Sequence, residues 1–131
     1  MSQPTTRPRS LAEVARRVAT GDQPFDPALR EFLDTFYANP ETRRAALDDP
    51  PQRLDPLRDA YLAAVCEHLA SSYHLDMPAW SETRGLDLEH PFFAGGLESL
   101  KARLFVESPT AFRRRMLFVS KDALFRPRAM A

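Results

Sequence analysis

Apolar residues recur at helical spacing along most of the chain, and residues that start or stop helices separate the runs. The first run repeats at i, i+3, i+4 and i+7: Leu11, Val14, Ala15 and Val18. This spacing places one apolar face on a helix. Ser10 and Glu13 have the spacing of a capping box, and Gly21 follows the run as a stop signal. The pattern therefore predicts an amphipathic helix from about residue 11 to residue 20.

The longest apolar stripe predicts a helix over residues 56–73. Its positions cover a broad arc: Leu57, Ala60, Tyr61, Ala64, Val65, His68 and Leu69, widened by Leu62, Cys66 and Tyr73. An arc of this width is typical of a helix contacted from two sides, so we expect this helix to lie near the middle of the fold. Helical spacing returns near residues 97–105: Leu97, Leu100, Leu104 and Phe105. The run at 117–119 is the one segment with an extended pattern.

Proline follows a residue able to cap a helix at four places: Asp26-Pro27, Asn39-Pro40, Asp55-Pro56 and Ser108-Pro109. A side-chain oxygen at the cap accepts from an unpaired N–H, and proline fits the first turn because its missing N–H would have no partner there. Each pair predicts a helix start. Together these patterns predict an all-α fold, a compact bundle of five to seven helices, with a flexible segment over 1–9 and one helical domain over 10–131.

The net charge of zero hides an uneven distribution. Residues 1–30 carry five basic and three acidic groups, residues 31–100 carry five and thirteen, and residues 101–131 carry eight and two. Such a division indicates either neutralisation within the molecule or contact with an acidic partner.

Composition favours a soluble protein of the cytoplasm. No apolar stretch approaches the roughly 20 residues that span a bilayer, and the first ten residues lack the apolar core of a secretory signal. The single cysteine, Cys66, excludes an internal disulfide and fits a reducing compartment.

The sequence carries no recognisable catalytic or metal-binding pattern. Cys66 and His68 are two residues apart on the predicted helix, so their side chains point about 200° apart and cannot form a catalytic pair. His74 and His90 do not complete the close spacing of a zinc site. We therefore predict no enzyme activity, no metal and no cofactor.

Three consecutive arginines, Arg113, Arg114 and Arg115, stand beside the apolar Phe118. On a helix they spread over a wide arc, so at least two of them are expected to be exposed. Two interpretations stay open. The arginines either neutralise the protein's own acidic region, or they bind an acidic partner through forked donors.

Three aromatic residues, Trp80, Phe92 and Phe93, lie in the irregular segment 74–96. They either close over the core or anchor an interface, where large aromatic side chains are favoured.

A helix-turn-helix is the alternative for the C-terminal region. Residues 97–106 and 109–115 flank a short turn, and arginines can hold phosphate groups. The second segment has no asparagine or glutamine beside its arginines to read bases, and the chain lacks an overall basic surface. DNA is therefore the second-choice partner.

The segments AYLAAVCEHLA, PAW and ESPTAFRRRMLFVSKDAL resemble a family of small bacterial proteins encoded in toxin–antitoxin-like gene pairs. The likeness spans most of the chain after about residue 10. It implies an antitoxin that binds and masks a cognate nucleotidyltransferase-like toxin. The family pattern has a polar residue, often asparagine, where this chain has Met116, and a less bulky residue than Phe125.

On this basis we predict a protein-binding surface composed of Arg113, Arg114, Arg115, Phe118, Trp80, Phe92 and Phe93. The oligomeric state is left open by the sequence.

Overall fold

The computed structural model describes residues 6–94 and 101–126. Within them the helices are α1 (Leu11–Thr20), α2 (Phe25–Ala38), α3 (Arg43–Asp48), α4 (Pro56–Ser72), α5 (Ala79–Thr83), α6 (Lys101–Glu107) and α7 (Thr110–Arg113), with a 3-10 turn at Pro40–Thr42. Two short strands, β1 (Phe92–Phe93) and β2 (Leu117–Phe118), complete the described elements. The fold is thus mostly helical, as predicted. The expectation of a strictly all-α protein is wrong, because β1 and β2 form a parallel pair.

The parallel pair joins the predicted extended run to the aromatic segment. Phe92 aligns with Leu117 and Phe93 with Phe118. The N–H of Phe92 donates to the carbonyl of Met116 at 2.9 Å, and that of Ala94 donates to Phe118 at 2.9 Å. The extended pattern at 117–119 correctly indicated β2, whereas β1 lies in the segment 74–96, which the sequence pattern indicated to be irregular.

The chain divides into two compact units. The first comprises, of the described residues, 6–54 and 126, and it contains α1, α2, the 3-10 turn and α3. Its core is formed by the apolar faces of these helices: Leu11, Val14, Ala15, Ala28, Leu29, Phe32, Leu33, Phe36, Ala46 and Leu47. The second unit comprises, of the described residues, 55–94 and 101–125 and contains α4 to α7 with β1 and β2. The boundaries predicted at residues 9 and 10 stay a prediction, and residues 1–5 lie outside the described part.

Two of the predicted helix caps are confirmed. The Ser10 side chain accepts from the N–H of Glu13 at 3.0 Å, and Gly21 ends α1 with a φ of 79°. Asp55 accepts from the N–H of Arg58 at 2.8 Å, with proline in the first turn of α4.

The other cap-proline predictions need correction. Asp26 lies in the first turn of α2, which begins one residue earlier at Phe25 behind Pro24. Asn39 precedes the 3-10 turn, but its side chain donates back to the carbonyl of Thr35 and makes no cap bond. Ser108 does not cap α7 either, since Pro109 holds that position and the serine side chain is buried elsewhere.

Helix α4 confirms the predicted long helix. Five consecutive residues, Leu62, Ala63, Ala64, Val65 and Cys66, are buried. Successive residues lie about 100° apart around a helix, so this run is covered on every side. Within its unit α4 contacts α5 and α7. The turn after α5 packs closely on α4: Gly85 has a φ of 82°, and a Cβ atom there would overlap the backbone of Ala60.

Met116 is held in the left-handed region, with a φ of 61°. Its N–H donates to the carbonyl of Arg113 at 2.9 Å and its carbonyl accepts from Phe92, so the turn between α7 and β2 depends on this conformation. Asparagine tolerates this region better than most residues, which gives a physical reason for the polar residue expected here from the resemblance.

We predict that Met116→Asn unfolds at a higher urea concentration than Met116→Val. Both changes remove the methionine side chain, but a β-branched residue is strained at positive φ, so the difference should be about 1–2 kcal/mol in the free energy of unfolding. The same two substitutions at Met77, which has no positive φ, serve as the control and should not favour asparagine. A Met116→Val variant as stable as Met116→Asn would contradict the proposed backbone constraint.

Candidate functional site

The three consecutive arginines have three different environments. Arg115 is buried, with 1% of its surface exposed. Its Nε donates to the carbonyl of Arg84 at 2.9 Å, and its Nη1 donates to the carbonyl of Ala111 at 2.9 Å and to Glu67 Oε1 at 2.6 Å. Its Nη2 donates to the carbonyl of Ser81. The predicted partner-binding role of Arg115 therefore needs correction: in this structure its guanidinium is enclosed by its own chain.

Glu67 is the acidic centre of this cluster. Its Oε1 accepts from Arg115 at 2.6 Å and from Arg114 Nε at 2.8 Å, and the side chain is 15% exposed. Burial alone would raise the pKa of Glu67, but the hydrogen bonds and charges of the two arginines outweigh burial and hold that pKa below its ordinary value. This role could not be predicted from local sequence, because Glu67 lies 47 residues from Arg114.

Arg114 combines an internal role with partial exposure. Besides its pair with Glu67, its Nη2 donates to the carbonyl of Glu82 at 2.7 Å. The side chain is 38% exposed. Arg114 and Arg115 thus follow the first of the two interpretations, neutralisation within the molecule.

Arg113 is the last residue of α7, and it is exposed. Its guanidinium makes no hydrogen bond or ion pair with any residue of the described ranges 6–94 and 101–126. Of the three arginines, Arg113 alone has its charge free for a partner within that part of the chain.

Ser108 links α6 to β2. Its hydroxyl lies 2.5 Å from the carbonyl oxygen of Leu104 and 2.9 Å from that of Val119, and it accepts from the N–H of Val119 at 2.8 Å. The residue is 3% exposed. Ser108 therefore joins the end of α6 to the residue that follows β2, and it does not cap a helix.

Three phenylalanines form a continuous stack beside β2. The ring of Phe118 lies 4.8 Å from that of Phe93 and 5.0 Å from that of Phe105, centroid to centroid, with interplanar angles of 20° and 21°. The ammonium of Lys101 lies 5.2 Å from the centroid of Phe93. We call these four residues the aromatic stack.

Phe105 is the member of the stack that the sequence pattern misassigned. Helical spacing indicated a core position, yet its side chain is 58% exposed, whereas Leu104 is 7% exposed. Phe118 is 8% exposed, since rings cover both of its faces. The structure brings the predicted residues Phe93 and Phe118 together, and Phe92 contributes its backbone to the strand pair.

Trp80 lies on α5 in a different environment. Its ring is half-buried, and the guanidinium carbon of Arg84 lies 5.0 Å from the ring centroid. Such a cation–π contact is favourable within about 6 Å. The carbonyl of Arg84 in turn accepts from Arg115, so Trp80 packs next to the buried cluster.

The cysteine and the histidine of α4 differ in how deeply they are buried. Cys66 is fully buried, while His68 is half-buried and lies edge-on to Phe112, with ring centroids 6.3 Å apart. Burial lowers the pKa of His68. The described residues contain no cluster of three or more potential metal ligands, and none of their helices is long and apolar enough to span a bilayer.

The helix-turn-helix alternative gains little from the geometry. Its second helix would be α7, which has four residues, two of them buried: Ala111 and Phe112. A recognition helix places several side chains along the major groove, and one helical turn offers too few. DNA binding stays an untested prediction that this geometry does not favour.

Comparison with protein-family models, curated proteins and solved structures finds no match to this chain. The antitoxin function that the resemblance implies therefore stays an expectation.

We predict that Glu67→Gln lowers the stability of the protein at neutral pH and removes part of its pH dependence. At pH 7 the loss should be about 3 kcal/mol or more, because Arg115 would stay buried without its counter-charge. The folded-state pKa of Glu67 lies below its unfolded value. Its contribution is therefore complete above the ordinary glutamate pKa of about 4.3 and is lost as the pH falls below that value.

Urea unfolding at several pH values between 7 and 3 measures both effects. The difference between the parent and Glu67→Gln should shrink toward pH 3, while Glu41→Gln, which changes an exposed carboxylate, should stay close to the parent at neutral pH. A constant difference between parent and Glu67→Gln across this range would show that the carboxylate charge is not the stabilising feature.

Proposed function

We propose that this protein is a non-catalytic protein-binding module that acts as an antitoxin. Its partner is a cognate toxin of the nucleotidyltransferase-like kind, which the resemblance implies. It masks that partner by covering an acidic surface, and its own residues supply no chemistry.

The observation that carries this proposal is the state of Arg113. It is an exposed cation without a side-chain partner in the described ranges, next to two arginines that the chain holds in place. Because Arg114 and Arg115 fix the end of α7 through Glu67, the backbone that presents Arg113 is already ordered before a partner arrives. Preorganisation of this kind lowers the entropic cost of binding.

The chemistry of the expected partner fits this cation. Nucleotidyltransferase sites carry carboxylates that bind metal ions, a step that rests on the resemblance. A guanidinium presents forked donors that match a carboxylate, and arginine is the cation best suited to a pair that becomes desolvated on binding.

The test compares Arg113→Ala with Arg30→Ala, which removes another exposed arginine, from α2. The probe is a toxin of the nucleotidyltransferase-like kind that the resemblance implies, and binding is measured by titration calorimetry alongside rescue of growth during toxin expression. Arg113→Ala should weaken binding by about tenfold or more and rescue poorly. Arg30→Ala should match the parent, and both variants should unfold at the same urea concentration as the parent.

Two results would contradict the proposal. If the parent neither binds the toxin nor restores growth, the antitoxin function is wrong. If a salt-sensitive shift of promoter DNA depends on Arg113 while toxin binding does not, the DNA-binding alternative replaces it.

A further inference from the structure

The outer side of α6 carries two neighbouring apolar residues that the described residues leave uncovered. Phe105 is 58% exposed and Val106 is 74% exposed, whereas Leu104 turns inward. Isolated exposed apolar residues are ordinary on protein surfaces. These two are adjacent, and one of them ends an ordered row of rings.

The aromatic stack fixes Phe105 from within. Its ring rests on Phe118, which rests on Phe93, and the ammonium of Lys101 lies over the far end. A ring supported in this way has little side-chain freedom left to lose when a partner covers it. Large, rigid aromatic residues are the usual anchors of protein interfaces.

Within the described part of the chain, three cations belong to the elements around this apolar pair. Lys101 and Arg103 lie on the same helix, the Arg103 side chain being 70% exposed, and the exposed Lys121 follows β2. The N–H of Lys121 donates to Glu107 Oε1, which places this lysine next to the end of α6. Among the described residues the acidic ones here are Glu107 and the exposed Asp122 beside Lys121, and Glu107 is already paired with Arg103 at 3.0 Å.

We infer that the outer side of α6, with Phe105 and Val106 at its centre and Lys101, Arg103 and Lys121 around them, is a docking surface for a protein with an apolar centre and an acidic rim. The inference rests on the proposed function, because the occupant is the same acidic partner that Arg113 contacts. It adds the apolar anchor that a charge contact alone lacks: cations steer and orient a partner, while buried apolar area supplies most of the affinity.

A second copy of this chain fits the surface less well. A two-fold interface brings the same patch of both copies together. The lysines and arginine around the apolar pair would then face one another, and like charges in contact are unfavourable.

Val106→Glu tests the inference, since it places a negative charge in the centre of the surface at a side chain that contributes little to the core. Leu86→Glu is the matched control, because Leu86 is 44% exposed and lies outside α6. With the same nucleotidyltransferase-like toxin as the probe, Val106→Glu should bind about tenfold or more weakly than the parent. Leu86→Glu should bind as the parent does, and Val106→Ser repeats the test without a new charge if the glutamate variant does not fold.

The outcomes separate this inference from the proposed function. If the parent does not bind the probe, both the antitoxin proposal and the docking surface are wrong. A parent that binds, together with folded Val106 variants that bind equally well, leaves the antitoxin proposal standing and overturns the docking surface. Sedimentation equilibrium showing a parent dimer that Val106→Glu converts to a monomer would overturn the chosen occupant in favour of a second copy.

Discussion

The contact between the guanidinium of Arg115 and Glu67 is the interaction on which the candidate site depends. A buried cation is costly unless it is paired and hydrogen-bonded, and all three nitrogens of this guanidinium have acceptors. Those acceptors come from α4, from α5 and the residue after it, and from α7, so a single side chain connects three elements of its unit. Arginine is suited to this position because its donors are fixed in a fork, whereas a lysine could not reach the same acceptors together.

The same contact explains how one run of like charges serves two purposes. Residues about 100° apart on a helical turn cannot share one environment, so one arginine enters the cluster, the next lies along its edge, and Arg113 faces solvent. Like charges in sequence would repel one another without Glu67, which accepts from two of them. The cluster therefore lets the chain display a cation at a fixed position without leaving its neighbours unpaired.

The periodicity of apolar residues predicted those helices that are long and whose capping residues lie within a few positions. The wide stripe of α4 and the capping of α1 and α4 could be seen in the sequence because their partners lie within a few residues. The missed features depend on contacts distant in sequence: Ser108 binds Val119 across 11 residues and Glu67 binds Arg115 across 48. Phe105 shows the limit of the apolar pattern, since it has core spacing yet ends an exposed stack. The uneven distribution of charge along the chain drew attention to residues 101–131. It could not distinguish the buried Arg115 from the exposed Arg113.

A double-mutant cycle on Arg115 and Glu67 tests the central claim most directly, with Arg115→Met, Glu67→Met and the pair compared with the parent by urea unfolding at pH 7. Glu67→Met leaves the buried Arg115 without its counter-charge and should cost about 3–5 kcal/mol, whereas Arg115→Met leaves Glu67 its contact with Arg114 and should cost less. The double variant should recover part of that loss, which gives a coupling energy of about 2 kcal/mol or more. If the free-energy losses of the two single variants sum to the loss of the double variant within about 0.5 kcal/mol, the two residues act independently. That result would contradict the account.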